Sequence, residues 1–321
     1  MDFGFQGILG QHSRHMEIGF NYVFDAILKH SKVDISLIRI SNVTETSIHV
    51  SFEARVSNTG PAKATLSPMT IELCGPAGPF GKITLPEFNT TPGGAYFAIQ
   101  NQYVEITNKT SLVAFVSSVL NNKSVTLSLK NGQGAITVAA FGIGPRSLPY
   151  ERDIALTGMN LTSVTVVRAS TSARPSTSSN LSTIGSLIGS RSHLTVTFNI
   201  KNLSPVELSF SICEFEIRNW EDEIIAALKG RLDMRSEDFD VTLYGAVDKR
   251  LAPTLEEGRV RLVGKRCAGA GWCDMLVKSV DLPILHVWKL RQALDLPHNE
   301  PKPEPPKVSR WHGWFVRRSQ S

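Results

Sequence analysis

The chain has 321 residues, of which 41% are hydrophobic and 20% charged, and a formal net charge of +5. That length suits two domains, each with its own core. From His286 to Ser321 seven Lys/Arg stand against three Asp/Glu, so most of the excess charge lies in the tail. This excludes a broad nucleic-acid surface and leaves room for a local basic contact with acidic lipid or a protein partner.

No run approaches the roughly 18 apolar residues of a membrane span. Met1 to Gly19 lacks the basic start and apolar core of a signal peptide. The expectation is a soluble or peripheral chain, or the lumenal part of a longer protein with its anchor elsewhere.

In chain order, residues 1–16 carry little signal. Phe20, Val23, Phe24, Ile27 and Leu28 follow i, i+3, i+4, i+7, i+8 and predict a short amphipathic helix. Val33, Ile35 and Leu37 alternate as in a strand. Ile48 to Val56 alternates strictly, turns at Asn58-Thr59-Gly60-Pro61, and continues as an apolar face through Leu66, Met69, Ile71 and Leu73. A short strand is predicted at Ile83–Leu85 and a long one over Tyr96–Ile106. Leu112, Phe115, Val116, Val119 and Leu120 repeat the helical spacing. Strands follow at Val125–Leu129 and Ala135–Phe141, and Asp153–Val167 closes a first module over 17–167.

Residues 168–193 read as a linker, with twelve Ser or Thr in 26 residues. The pattern then returns. Leu194 to Ile217 repeats the design of Ile48 to Leu73, with its corner at Asn202-Leu203-Ser204-Pro205, an offset of 144 residues. Phe239–Val247 parallels Tyr96–Ile106, and Val260–Val263 parallels the strand at Val125. The helix Leu112–Leu120 has no counterpart. The second module therefore spans 194–285. Ile284–Leu294 reads as a helix opening a Pro-rich, basic and aromatic tail over 286–321.

Short strands separated by turn signals call for an all-β fold: tandem immunoglobulin-like β-sandwich modules with short covering helices. Two features suit binding. The helices Phe20–Leu28 and Leu112–Leu120 either fill out the core or cover an apolar-ligand groove lined by Phe24, Ile27, Leu28, Leu112, Phe115, Val116 and Val119. In the tail, Trp311, Trp314, Phe315, Arg317 and Arg318 combine rings and cations as at a membrane interface or partner contact.

Seven of fifteen asparagines sit in N-x-[ST] sequons, more than chance pairing supplies, which favours exposure to the secretory pathway. The acceptors are Asn42, Asn89, Asn108, Asn122, Asn160 and Asn180, with Asn202 weakened by Pro205. Cys267 and Cys273 bracket a glycine-rich loop short enough to close as a disulfide, the alternative being buried or free thiols. No C-x-x-C pair or Cys/His cluster marks a zinc site. His12 and His15 share helical spacing without a further ligand. No nucleophile elbow, Walker loop or dinucleotide fingerprint is present. The acidic runs Glu221–Glu223, Glu237–Asp238 and Glu256–Glu257 each lie beside a turn and read as solvated surface. The residues call for no enzyme, no cofactor and no nucleic-acid partner.

The helix at Phe20, the strand into Asn-Thr-Gly-Pro and the segment LSPMTIELCGPAGPFGKITLP carry a resemblance, joined by QYVEITN, SLVAFVSSVL, SVTLSLKN and DIALTGMN. Together they resemble the second group of late embryogenesis abundant proteins, the water-stress and hypersensitive-response domain. Within that group the chain looks like a fungal uncharacterised family that includes vacuole-membrane proteins linked to ending autophagy. The resemblance covers about 17–165 well and 194–285 more loosely. It implies a β-sandwich with helix cover, a vacuolar membrane or lumenal setting, and lipid carried in a groove of the sandwich. It implies no catalytic residue. The expected function is a non-enzymatic endomembrane protein binding lipid or another apolar ligand through its first module. The alternative is a protein–protein scaffold using sheet edges and the basic tail.

Overall fold

A computed structural model of the chain describes residues 31–59, 63–138, 143–172 and 191–299. The predicted helix Phe20–Leu28 and the tail aromatics lie outside them.

The all-β expectation holds: two sets of strands pack as layered sheets with a few short helices. The strict alternation of the organising stretch becomes β2 (Ser47–Ser57), in which Ile48, Val50, Phe52, Ala54 and Val56 are all buried. It lies between β1 (Lys32–Ser41) and β7 (Ala95–Glu105), antiparallel to both. Opposite stands a second sheet. It contains β3 (Ala64–Leu66), β4 (Met69–Gly75), β5 (Gly78–Leu85), β6 (Phe88–Thr90), β8 (Ser124–Val138) and β9 (Ile143–Thr157). Its order is β5-β4-β8-β3-β6, with β9 along the other side of β8. The two strands predicted around Val125 and Ala135 are thus one long strand, β8.

The predicted helix over Leu112–Leu120 is α1 (Lys109–Asn121), capped by Asn108, whose Oδ1 accepts from the Ser111 amide at 3.1 Å. Its apolar side packs into the sandwich, with Leu112, Phe115, Val116, Val119 and Leu120 all buried. At its end Val119 and Leu120 accept from the amides of Met159 and Leu161 at 2.7 and 2.9 Å. That satisfies carbonyls the helix leaves open and ties it to the segment after β9.

The second module comprises β10 (Val164–Ser172), β11 (Arg191–Ile200), β12 (Val206–Arg218), β13 (Ile224–Met234), β14 (Phe239–Asp248), β15 (Arg261–Cys267) and β16 (Asp281–Leu285). Its helices are α2 (Gly271–Lys278) and α3 (Trp288–Ala293). The strands pair as β13-β14-β11-β10-β16-β15-β12, and β12 pairs back to β13, so the sheet closes on itself.

The structure departs from the sequence reading at two edges of this module. Arg168–Ser172, expected to begin a linker, continues β10 and pairs with His193–Thr197 of β11. Ser and Thr suit an exposed strand face as well as a flexible segment, so composition alone misplaced the boundary. Ile284 and Leu285, expected to open a helix, end β16 instead, pairing with Val164 and Thr165. The helix starts only at Trp288.

The internal repeat is legible strand by strand. β10, β11 and β14 pair as β1, β2 and β7 do, and β12, β15 and β16 follow β4, β8 and β9. The modules join where Ile38–Ile40 of β1 pairs in parallel with Val206–Leu208 of β12. A second joint lies at α2. Trp272, 1% exposed, donates its indole N–H to the Thr44 carbonyl at 2.9 Å. The Glu45 carboxylate accepts from the Gly271 amide and from Lys109 Nζ, which keeps it ionised below the usual carboxylate range.

Candidate functional site

In the second module β10 and β16 pair in parallel and complete the closed sheet. Their counterparts in the first module, β1 and β9, share no ladder among the described residues. The edge of β1 is divided instead. Its later half is taken by β12, with the Ile38 amide donating to the Pro205 carbonyl at 2.9 Å. Its earlier half, Val33–Ile35, faces a cleft of about 680 Å³ whose other wall is Ala155–Thr157 of β9. Pairing with β8 uses only one edge of β9. Among the described residues, two strand edges without a ladder on that side therefore flank the cleft.

The remaining walls come from the second module: the corner Asn202–Pro205 and the turn Ser236–Asp238. The corner is built to hold its shape. Asn202 is 1% exposed, donates from Nδ2 to the carbonyls of Val206 and Arg235 at 3.2 and 2.5 Å, and accepts from the Ser204 amide at 2.8 Å. Its side chain is consumed by the corner, a structural use of what looks like a sequon. Ser204 Oγ in turn accepts from the Val206 amide at 3.1 Å. At the corner's tip Leu203 is 75% exposed, an apolar side chain presented to the cleft by a rigid turn. Asp34, Glu237 and Asp238 line the same space, and no Lys or Arg lies among its lining residues. The cleft is thus acidic and partly apolar, with two strand segments among its walls.

Behind it, Glu207 fixes the junction. Its carboxylate accepts from Arg39 Nε at 2.6 Å and from the Ser236 amide and hydroxyl at 3.1 and 2.9 Å. Burial opposes its ionisation, but these donors outweigh burial and hold the carboxyl below its ordinary range.

The other expected sites are placed as follows. Leu112, Phe115, Val116 and Val119 are buried in the first-module core. A Cβ on Gly75 would stand 2.7 Å from Phe115 Cβ, so strand and helix meet there without a gap. Phe24, Ile27 and Leu28, the other half of the expected groove, lie outside the described residues. So do Trp311, Trp314, Phe315, Arg317, Arg318 and Asn180. In the second module an all-apolar cavity lined by Phe198, Phe215, Leu232 and Leu262 has only about 20 Å³. Asn42, Asn89, Asn108 and Asn122 are exposed and Asn160 half-buried.

All four cysteines are free buried thiols. Of the two readings of Cys267, a bond to Cys273 or a free buried thiol, the second describes this structure, and β12 and β15 place Cys213 directly opposite it as a cross-strand neighbour. Among the described residues no group of three or more His, Cys, Asp or Glu side chains is arranged to hold a metal ion. None of their helices is long and apolar enough to cross a membrane. The seam itself was not anticipated from sequence. The signal for it was the repeat: an exposed leucine in a corner otherwise locked by Asn and Ser, opposite a strand start whose partner differs between the copies.

A family model described as "Protein of unknown function (DUF3712)" matches residues 78–217, from β5 through β12 and so across the module junction. No curated protein matches. Among solved structures, a protein from Archaeoglobus fulgidus is 13% identical, covering 40% of this chain and 94% of its own with a TM-score of 0.23. The exo-β-D-glucosaminidase CsxA, solved with a glucosamine-configured castanospermine and an amino-australine analogue, is 12% identical over 77% of this chain, with a TM-score of 0.19. The match spans 26% of that enzyme's length.

Proposed function

We propose that the protein is a non-catalytic interaction scaffold whose first-module seam takes up an extended, basic polypeptide segment of a partner. The observation that carries this reading is the cleft between β1 and β9, at the position where the second copy of the same design is closed by β10 and β16. Strand addition gains affinity from main-chain hydrogen bonds and selectivity from alternate side chains. Here Val33–Ile35 and Ala155–Thr157 offer the main chain, Leu203 an apolar contact, and Asp34, Glu237 and Asp238 a preference for Lys or Arg. The resemblance to late embryogenesis abundant group-two proteins adds an endomembrane lumenal setting. The exposed acceptors Asn42, Asn89, Asn108 and Asn122 accord with it. A lipid held beneath α1 would need that helix to lift, since its apolar face is packed.

The test is selection from a displayed library of random peptides against the wild-type protein and the double variant Asp34→Lys/Glu237→Lys. All three carboxylates are exposed, so the variant keeps its thermal midpoint. The expected result is enrichment of segments alternating apolar residues with Lys or Arg on the wild type, reduced at least tenfold on the variant. Equal enrichment on both, or none on either, would sink the reading.

A further inference from the structure

Three of the four cysteines lie close together, Cys213 joining Cys267 and Cys273 from 54 residues away in sequence. Cys213 of β12 and Cys267 of β15 are direct cross-strand partners, and the Cys213 thiol donates to Cys267 Sγ at 3.2 Å. Cys273, in the first turn of α2, hydrogen-bonds the same sulfur. Ser211 Oγ stands 3.9 Å from it. Cys213, Cys267 and Cys273 are 0%, 5% and 2% exposed, yet only the turn Ala268–Ala270, exposed at its first two residues, separates Cys267 from α2. Directly opposed residues in an antiparallel pair have Cα atoms about 4.5–5.5 Å apart, inside the range a disulfide bridges.

We propose that Cys213, Cys267 and Cys273 form a thiol–disulfide exchange site with Cys267 as its central sulfur. The chemistry starts with a low-molecular-weight disulfide of the glutathione class. The Cys267 thiolate attacks one of its sulfurs, forming a mixed disulfide and releasing one thiol. Cys213 then gives up its proton and attacks Cys267 Sγ, expelling the second thiol. Two protein thiols are oxidised and one small disulfide is reduced to two thiols. In a second step Cys273 attacks Cys267 Sγ. The Cys213–Cys267 bond breaks, its electron pair leaves on Cys213, and Cys213 takes up the proton that Cys273 lost. No net oxidation occurs in that step.

The surroundings suit these roles. Thiol donors at Cys213 and Cys273 push the Cys267 thiol down, while hydrogen bonding to Cys267 and burial push the other two up, so the central sulfur ionises first. The two bonds differ in consequence. Cys213–Cys267 staples β12 to β15 within the closed sheet. Cys267–Cys273 fastens β15 to the turn of α2 that carries Trp272, the residue docked on Thr44 of the first module. The position of the bond therefore sets the tension on the joint between modules.

The test equilibrates purified full-length protein with glutathione buffers of rising disulfide content. Remaining thiols are then alkylated under denaturing conditions, and the bonds are mapped by peptide mass spectrometry. Wild-type protein should show one bond per molecule in two isomers that share Cys267. Cys273→Ala should show only Cys213–Cys267, and Cys213→Ala only Cys267–Cys273. Cys267→Ala should lose at least tenfold in total bond formation among the remaining two. A wild-type protein with all three thiols alkylated throughout would overturn the proposal. So would a Cys213–Cys273 bond in Cys267→Ala formed to the wild-type extent. The wild-type map needs no variant to fold, so the proposal stays open to refutation if a substitution unfolds the protein.

Discussion

The two modules share one strand plan and end in different states: among the described residues the second closes and the first does not. Between β7 and β8 the first module carries α1, thirteen residues long; between β14 and β15 the second carries only the 3-10 turn Ala252–Thr254. A helix with its side chains is about 10 Å across and must be housed inside the sandwich. The second module has no α-helix in that connection, its α2 lying instead between β15 and β16, and there β14 pairs with β13 and β16 with β10. The first remains wide enough that β5 and β7 meet through contacts such as the Thr107 amide on the Phe80 carbonyl at 3.0 Å, while β1 and β9 flank the cleft. One insertion therefore goes with the difference between a sealed unit and one whose β1 and β9 share no ladder among the described residues.

The comparison depends on the modules being held together, and the largest effect should come from breaking that joint. Trp272 is buried between Phe210, edge-on at 6.4 Å between ring centroids, and the Thr44 carbonyl. Trp272→Ala removes its packing and leaves that carbonyl unpaired. Urea denaturation should show a loss of about 4 kcal/mol. A loss below about 1 kcal/mol would mean that α2 contributes little to the joint.

Closure itself can be tested at a single glycine. A Cβ on Gly245 of β14 would stand 1.9 Å from the Ala227 carbonyl oxygen of β13. Gly81 of β5 is different: a Cβ there would meet the Val104 Cγ1 methyl at 2.6 Å, a side chain that can turn away, though the Glu105 carbonyl oxygen stands at 3.1 Å. Gly245→Ala should therefore cost about 3 kcal/mol in thermal or urea unfolding, and Gly81→Ala less. Equal costs would remove the distinction drawn between a backbone-limited seam and a looser one.

How much of this was readable beforehand follows from the same contrast. Strand alternation in Ile48–Val56 and helical spacing in Leu112–Leu120 report burial on one face, a local property, and both came through. The corner at Asn202 came through as a locked turn, because turn chemistry is local; Gly60 and Pro61 of the first corner lie outside the described residues, and Asn58 is exposed where Asn202 is buried. Closure did not come through. Whether β16 reaches β10 depends on pairing between residues some 120 positions apart, and neither strand's pattern names its partner. The linker was misread for a related reason: Ser and Thr in Arg168–Ser172 are strand residues only because β11 lies beside them. The thiol cluster required the register of β12 against β15, so spacing suggested the nearer pair, Cys267 and Cys273, and missed Cys213.

Charge at the junction gives a smaller, pH-dependent test. The Glu207 carboxyl is depressed in the folded protein. Its contribution is therefore present above the unfolded value, near 4.5, and is lost as pH falls through the lower folded value. Stability should decline from about pH 4.5 downward. Glu207→Gln should cost about 1–2 kcal/mol at pH 7 and flatten that decline. A variant with the wild-type slope would mean that other carboxylates set the acid limb.

The smallest effect concerns α1, the element that distinguishes the modules, and it can be separated from glycosylation at the same residue. Asn108 is both an exposed sequon asparagine and the N-cap of α1, accepting from the Ser111 amide through Oδ1. Asn108→Ala removes acceptor and sequon together and should lower stability by about 1 kcal/mol. Asn108→Asp removes the sequon but keeps an acceptor at the cap and places negative charge at the helix N-terminus, where the helix dipole favours it. In unglycosylated protein from a bacterial host the Asp variant should match the wild type in a thermal melt while the Ala variant falls below it. If Asp falls as far as Ala, the cap is not what holds the start of α1, and the account of what sets the first module apart loses its anchor at that end of the helix.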